Sequence, residues 1–179
     1  MTEVGTVYGE SLYELAKDES LSQELGQQLN VLRQSFRQEP DFLRLLSSPS
    51  LTKAERCQVL DDSFRGKIHP YLPNFLKILT EKSYIRYFSD CCAAYAQRYN
   101  EDNGILPVTA VTAIALTAQQ TDALSEKLGR ITGKTIDLTN RIDPSCLGGI
   151  RLDYDGQRLD DTVAHRLRSI RDLLKNTVL

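Results

Sequence analysis

The sequence predicts a mainly α-helical chain with a smaller α/β part: a six-helix N-terminal bundle over residues 1–104, then a small α/β domain over residues 105–179. Three observations carry that division. Apolar residues recur at steps of three and four through the first hundred positions, the period of a helix. Asp102, Asn103 and Gly104 then form a breaker cluster. Beyond it Val, Ile and Thr are frequent and apolar residues fall on alternate positions, as strands require.

The first helix is marked by Val4, Tyr8, Leu12 and Leu15. Ser20 with Gln23 reads as a capping-box pair opening a second helix, whose apolar stripe is Leu21, Leu25, Leu29, Leu32 and Phe36. Pro40 ends it and admits a short helical turn over residues 42–46. After the loop around Pro49, Thr52 and Glu55 form another capping box for a fourth helix running to Phe64. Gly66 closes that helix and Pro70 opens the fifth, with Leu72, Phe75, Leu76 and Leu79 on one face. The sixth carries Ile85, Phe88, Cys92, Tyr95 and Tyr99. Short connections between such helices favour an antiparallel bundle.

Past Gly104, residues 105–116 read as a strand. Thr117 and Gln120 cap a helix with Leu124, Leu128 and Ile131 on its apolar side, stopped by Gly133. Ile136, Leu138 and Ile142 on even positions predict a second strand, and residues 147–154 a third. Asp155–Gly156 is a hairpin signal. A final helix over residues 161–174 is expected to bury Val163, Leu167, Ile170 and Leu174. A unit of about 75 residues has a small core and gains from docking onto something else.

Composition excludes several classes. With 22 basic and 24 acidic side chains the net charge is −2, which argues against a polyanion-binding chain. No run approaches the roughly 18 apolar residues that cross a bilayer. The acidic, apolar-poor start resembles neither a signal nor a transit peptide, so a cytosolic protein is expected. The four cysteines (Cys57, Cys91, Cys92 and Cys146) have neither zinc spacing nor a disulfide framework and are expected to be buried small hydrophobes.

Nor does the sequence assemble a reaction centre, cofactor site or metal site. His69 and His165 lie far apart, and His69 beside Pro70 reads as a surface or capping residue. Gly148–Gly149 lacks both dinucleotide and P-loop spacing and reads instead as a place of close backbone approach. Asp61–Asp62 and Asp160–Asp161 fit helix surfaces and a helix start. The last helix does gather Arg166, Arg168, Arg171 and Lys175, which keeps an RNA-binding or adaptor protein as the alternative reading. Asp160, Asp161 and Asp172 dilute that cluster, and no aromatic residues interleave for base stacking.

Two helices carry more apolar surface than a one-sided bundle helix needs. On the first, Val7, Val4, Ser11, Leu15, Tyr8, Leu12 and Ala16 span about half the circumference. On the fifth, Tyr71, Asn74, Ile78 and Lys82 form a second stripe beside the core face. Either both helices are central in the bundle, or a groove between them accepts a foreign amphipathic helix.

Several segments resemble the delta-subunit family of bacterial F-type ATP synthases, counterparts of the mitochondrial oligomycin-sensitivity-conferring protein. They are Tyr8–Gly9–Glu10–Ser11–Leu12–Tyr13, the leucine-rich turn Phe42-Leu43-Arg44-Leu45-Leu46-Ser47-Ser48-Pro49, and Asn74-Phe75-Leu76-Lys77-Ile78-Leu79-Thr80-Glu81-Lys82. The most specific is Ile142-Asp143-Pro144-Ser145-Cys146-Leu147-Gly148-Gly149-Ile150-Arg151, followed by Asp155–Gly156 and Leu159-Asp160-Asp161-Thr162-Val163. The family's usual glycine-arginine after the fifth helix is replaced here by Ser83–Tyr84. The resemblance implies a non-catalytic stator component that couples proton flow to ATP synthesis, on the cytoplasmic face of the membrane through its partners and without direct insertion. It implies a hetero-oligomer in which the helical part binds the N-terminal helices of the alpha subunits, with Tyr8, Ser11, Leu15, Asn74, Phe75, Ile78 and Lys82 as contacts. The C-terminal part is implied to hold the b-subunit end, with Arg166, Ile170 and Leu174 as contacts.

Overall fold

A computed structural model describes residues 2–48 and 50–167. The chain separates into two compact units, Met1–Tyr99 and Asn100–Leu179. It is mostly helical, with one small mixed four-stranded sheet.

The first unit is built from α1 (Glu3–Asp18), α2 (Ser22–Gln38), α3 (Pro40–Ser47), α4 (Lys53–Phe64), α5 (Tyr71–Glu81) and α6 (Phe88–Asp102), with a 3-10 turn at Ile85–Tyr87 before α6. All six helices contribute to one buried cluster. Leu25, Leu46, Leu60, Leu72, Leu76 and Leu79 have no exposed surface. Phe36 is a hub of aromatic contacts, with ring centroids 5.5 Å from Phe42, 6.2 Å from Phe64 and 5.0 Å from Phe88.

α1 turns a different face to the core from the one its large apolar residues suggest. Its buried positions are Gly5, Gly9, Leu12, Tyr13 and Ala16. A Cβ on Gly5 would lie 2.4 Å from the Asp90 Cβ, and one on Gly9 would lie 2.3 Å from the Cys91 carbonyl oxygen. The small residues therefore let α1 approach α6 closely, and Val7 and Leu15 are left on the outside.

The Ser20–Gln23 capping box does not form. Ser20 is in the left-handed region (φ 58°). Its amide donates to the Lys17 carbonyl, and the Leu21 amide donates to the Ala16 carbonyl. This is the double bond of a Schellman ending, so Ser20 terminates α1, and α2 starts at Ser22 without a side-chain cap. The same device ends α5: Ser83 has φ 61°, with Ser83 N–H to Thr80 O and Tyr84 N–H to Leu79 O. The Thr52–Glu55 capping box is present in full at the start of α4.

In the second unit, β1 (Ile105–Thr112), β2 (Thr135–Ile142), β3 (Ile150–Tyr154) and β4 (Gln157–Asp160) lie in the order β2-β1-β3-β4. β1 and β2 are parallel and joined through α7 (Ala118–Thr132). The other two pairings are antiparallel. The Thr117–Gln120 capping box opens α7, and Gly133 at φ 69° closes it. Leu124 and Leu128 of α7 pack over a small centre of Val108, Ala110 and Leu152. Asp155 and Gly156 both have positive φ, the two-residue turn that suits strand twist.

The second unit departs from the sequence pattern at four places. β1 stops at Thr112, where the Thr112 hydroxyl donates to the Ile114 carbonyl and Asn140 ties Ala110 O and Leu116 N together. β3 begins only at Ile150, because Gly149 (φ 76°) brings the backbone against Asp161, where a Cβ would meet its carbonyl oxygen at 2.5 Å. Ile131 is exposed, and of the expected α7 stripe it is Leu124 and Leu128 that pack on the sheet's centre. In the last helix, residues 163–167 are helical, yet Val163 is 42% and Leu167 55% exposed, so neither is core. Ile170 and Leu174 lie outside the described residues, as do Arg168, Arg171 and Lys175.

Candidate partner-binding surfaces

With the core filled from the Gly5–Gly9–Ala16 side, α1 leaves an outer stripe of Val7, Ser11 and Leu15 in solvent, Leu15 at 42% exposure. The Ser11 hydroxyl donates to the Val7 carbonyl at 2.7 Å, so it is already satisfied and adds little polarity to that stripe. Tyr8 is half-buried, its ring 5.9 Å edge-on from Tyr84. Tyr84 follows the Schellman ending of α5, so this contact ties α1 to the C-terminal end of α5.

α5 presents Asn74, Ile78 and Lys82 outward, with Ile78 at 46% exposure. Phe75, one of the expected contacts, is only 7% exposed and belongs to the core beneath that face. Lys77, beside Ile78, reaches Asp61 of α4 at 2.6 Å and holds α5 against its neighbour. The start of α5 is held by His69, whose Nδ1 accepts from the Tyr71 amide at 3.4 Å. The N-cap residue of α5 is Pro70, which offers no side-chain bond, so this long contact is local support rather than an N-cap.

Gly5 and Gly9 are the packing positions most easily missed, because a search for large apolar residues passes over them. The available signal is small residues at positions 5, 9 and 16, all on one helical face.

In the second unit three exposed apolar side chains lie toward one end of the sheet. Ile142 ends β2 beside Thr112, Leu147 follows the 3-10 turn Pro144–Cys146, and Val163 packs over Gly148. The Val163 amide donates to the Gly148 carbonyl at 3.0 Å, joining these segments. Arg166 is engaged by Asp161, which accepts from its Nε at 2.9 Å. That bond withdraws one of the basic residues on which an RNA-binding reading leans.

Among the described residues nothing resembling a reaction centre accompanies these surfaces. Among the described residues no group of three or more His, Cys, Asp or Glu could hold a metal ion. Burial pushes the Cys91 thiol up to about 11 and the Cys92 thiol to about 12, so both are inert small hydrophobes rather than nucleophiles. Cys146 is buried too, but Cys57 is only half-buried, 3.9 Å from Glu81, contrary to the expectation of four buried cysteines. No helix among the described residues is long and apolar enough to cross a membrane.

Comparison with known proteins gives a consistent picture. The family model described as ATP synthase delta (OSCP) subunit matches residues 4–174. The chain is 34% identical over 173 residues to the ATP synthase subunit delta of Lactobacillus gasseri, covering 96% of this chain and 94% of that protein. It is 30% identical over 165 residues to the subunit delta of Gloeobacter violaceus, covering 91% and 89%. Among solved structures, a chain of the Toxoplasma gondii mitochondrial ATP synthase hexamer superposes with a TM-score of 0.76 at 20% identity, covering 97% of this chain and 98% of that one. At that identity the likeness is one of fold.

Proposed function

The chain belongs to the ATP synthase delta (OSCP) family, a structural peripheral-stalk component of F-type ATP synthase, and from that premise we propose how its two units divide the work. Residues 1–104, the six-helix module, bind an amphipathic helix from the N-terminus of an alpha subunit. Residues 105–179 hold the C-terminal end of the b subunits. Both partners are hetero-oligomer neighbours, and association with the membrane is indirect.

The observation that carries this reading is the unused apolar stripe on α1 and α5. Val7, Leu15 and Ile78 remain exposed after α1 has spent its glycine face on α6 and α5 has spent Leu72, Leu76 and Leu79 on the core. An amphipathic helix placed across Tyr8, Ser11, Leu15, Asn74, Ile78 and Lys82 would bury that stripe, with Phe75 as the floor. For the b-subunit end, Arg166 with the exposed Val163 and Leu167 supplies the described part of the surface; the expected contacts Ile170 and Leu174 lie outside the described residues.

The function follows mechanically. A rotor turning inside a catalytic head drags the head along unless the head is tethered to the membrane part. Such a tether needs binding area, stiffness and slow dissociation, and no proton donor or nucleophile takes part. Calorimetric titration of the full chain with a synthetic alpha-subunit N-terminal peptide tests the assignment. Saturable binding that Leu15→Asp abolishes supports it, and binding indifferent to that change removes it.

A further inference from the structure

Arg33 and Arg37 stand one turn apart on α2, and Arg86 stands on the 3-10 turn before α6. All three are exposed and line one recess of about 620 Å³ in the first unit. Pro40 and Leu43 of α3 give it an apolar wall, and the buried rings of Phe36 and Phe88 lie at its base. No Asp or Glu lines it. Glu39 and Asp41 line a separate recess beside Phe42 and Phe64, where Asp41 is held by Arg44 at 2.8 Å. Asp90, one turn beyond Arg86, accepts both bonds of Thr2. Among the described residues none of the three arginines forms an ion pair.

This arrangement is unfavourable in the free chain. Like charges at i and i+4 of a helix repel, and no acid offsets the Arg33–Arg37 pair. Arg33 Nη2 donates to Asn30 Oδ1 at 3.2 Å, which steadies the side chain and leaves its charge uncompensated. Arg86 lies over the Tyr87 ring, its Cζ 4.6 Å from the ring centre, and is steadied there by the ring face. Gln34 and Ser89 add polar side chains to the lining, and among the described residues neither is hydrogen-bonded through its side chain. We propose that the recess binds a small polyphosphate anion, either the phosphate tail of a nucleotide or a free polyphosphate.

Guanidinium groups grip phosphate oxygens through paired N–H donors, and three of them around one recess match a chain of linked phosphates better than a single carboxylate. The volume is that of a small-ligand site rather than of a flat protein interface. Beside the arginines, the Pro40–Leu43 wall offers a nucleoside an apolar surface to rest on. The net charge of −2 does not oppose such a site, because charges farther away than about 10 Å are largely screened. None of the lining residues belongs to the α1–α5 stripe, so the recess is distinct from the partner surface on those helices.

Calorimetric titration of the full chain with tripolyphosphate and with magnesium-free ATP, at low salt, tests the proposal. Circular dichroism confirms that each variant is folded. Wild type should bind at least one of the two saturably, with a dissociation constant below about 1 mM. Arg37→Gln and Arg86→Gln should each weaken that binding by about tenfold, the loss of a charge-assisted contact. Arg130→Gln, on exposed α7 and outside the recess, should leave it unchanged. The ligand should slow hydrogen exchange in α2, α3 and residues 85–89. ATP binding tighter than tripolyphosphate supports the site and assigns it to a nucleotide; equal or weaker binding supports it and assigns it to free polyphosphate. No saturable binding of either anion, or binding indifferent to both arginine replacements, overturns the proposal. So does a chain that ignores both anions and binds an oligoglutamate peptide, which would make the recess a contact for an acidic protein instead.

Discussion

Gly9 lies so close to Cys91 that a Cβ on the glycine would sit 2.3 Å from the cysteine carbonyl oxygen and 2.8 Å from the Ala94 Cβ. That approach fixes the rotation of α1, and with it which side chains are left for a partner. Gly9→Ala gains about 1 kcal/mol of helix propensity but must push two backbones apart. Overpacking of this kind costs about 1–3 kcal/mol, so a net loss of stability is expected, together with weaker binding of the alpha-subunit peptide. Thermal melting and calorimetry on the same variant check both; a more stable variant with unchanged binding would contradict the packing described.

Ser83 occupies a left-handed position at the end of α5, where a side chain is strained and glycine is not. Ser83→Gly should therefore raise stability by about 0.5–1 kcal/mol, the relief of strain less the greater freedom of glycine in the unfolded chain. Chemical denaturation measures it. A loss of stability would mean that the serine side chain makes a contact worth more than the strain.

The Thr2 amide and hydroxyl both donate to Asp90 Oδ2, at 2.9 and 2.8 Å, and these bonds from the Thr2 side chain and then its backbone hold the carboxyl below the usual aspartate range. A carboxylate with a depressed folded pKa stabilises the fold above its unfolded pKa, and the contribution disappears as pH falls through the folded value. The melting temperature of wild type should thus exceed that of Asp90→Asn at neutral pH, and the difference should shrink below about pH 4. A gap that persists unchanged at pH 2 would show that the charge is not what matters.

Ile78 is exposed on α5 in the free protein. Ile78→Asp should cost less than about 0.5 kcal/mol in folding stability. It should weaken the alpha-subunit peptide by about 2–3 kcal/mol, because the carboxylate would be buried unpaired in the complex. Unfolding of the variant would place Ile78 in the core instead.

Much of this architecture is legible in the sequence, and the failures have identifiable causes. The Thr52–Glu55 and Thr117–Gln120 boxes are local chemistry, complete within four residues, and both form. The Ser20–Gln23 box has the same spacing but loses to the Schellman ending of α1, which needs Ser20 in a left-handed conformation. The rotation of α1 follows from close contact with α6, a relationship between distant parts of the chain that periodicity does not encode. Leu12 and Ala16 lie on the predicted arc, but Gly5 and Gly9 carry the contact. On α5, by contrast, the core face and the outer stripe separate as the spacing of Leu72, Phe75, Leu76 and Leu79 requires. In the second unit the strands themselves are legible, but their ends are set by Asn140 and Gly149, whose partners are distant in sequence.

The second unit has a small centre of Val108, Ala110 and Leu152, so a partner should contribute a large share of its stability. At about a hundred times its dissociation constant, a ligand adds roughly 2.7 kcal/mol. Hydrogen exchange on the full chain tests the division of labour most directly, with two synthetic peptides added in turn. One copies the N-terminus of the alpha chain of the synthase, and the other copies the C-terminal end of its b chain. The alpha peptide should slow exchange in α1 and α5 and leave residues 105–179 unchanged, and the b peptide should slow exchange in residues 105–179 and leave residues 1–104 unchanged. Protection of residues 1–104 alone by the b peptide would contradict that division of labour.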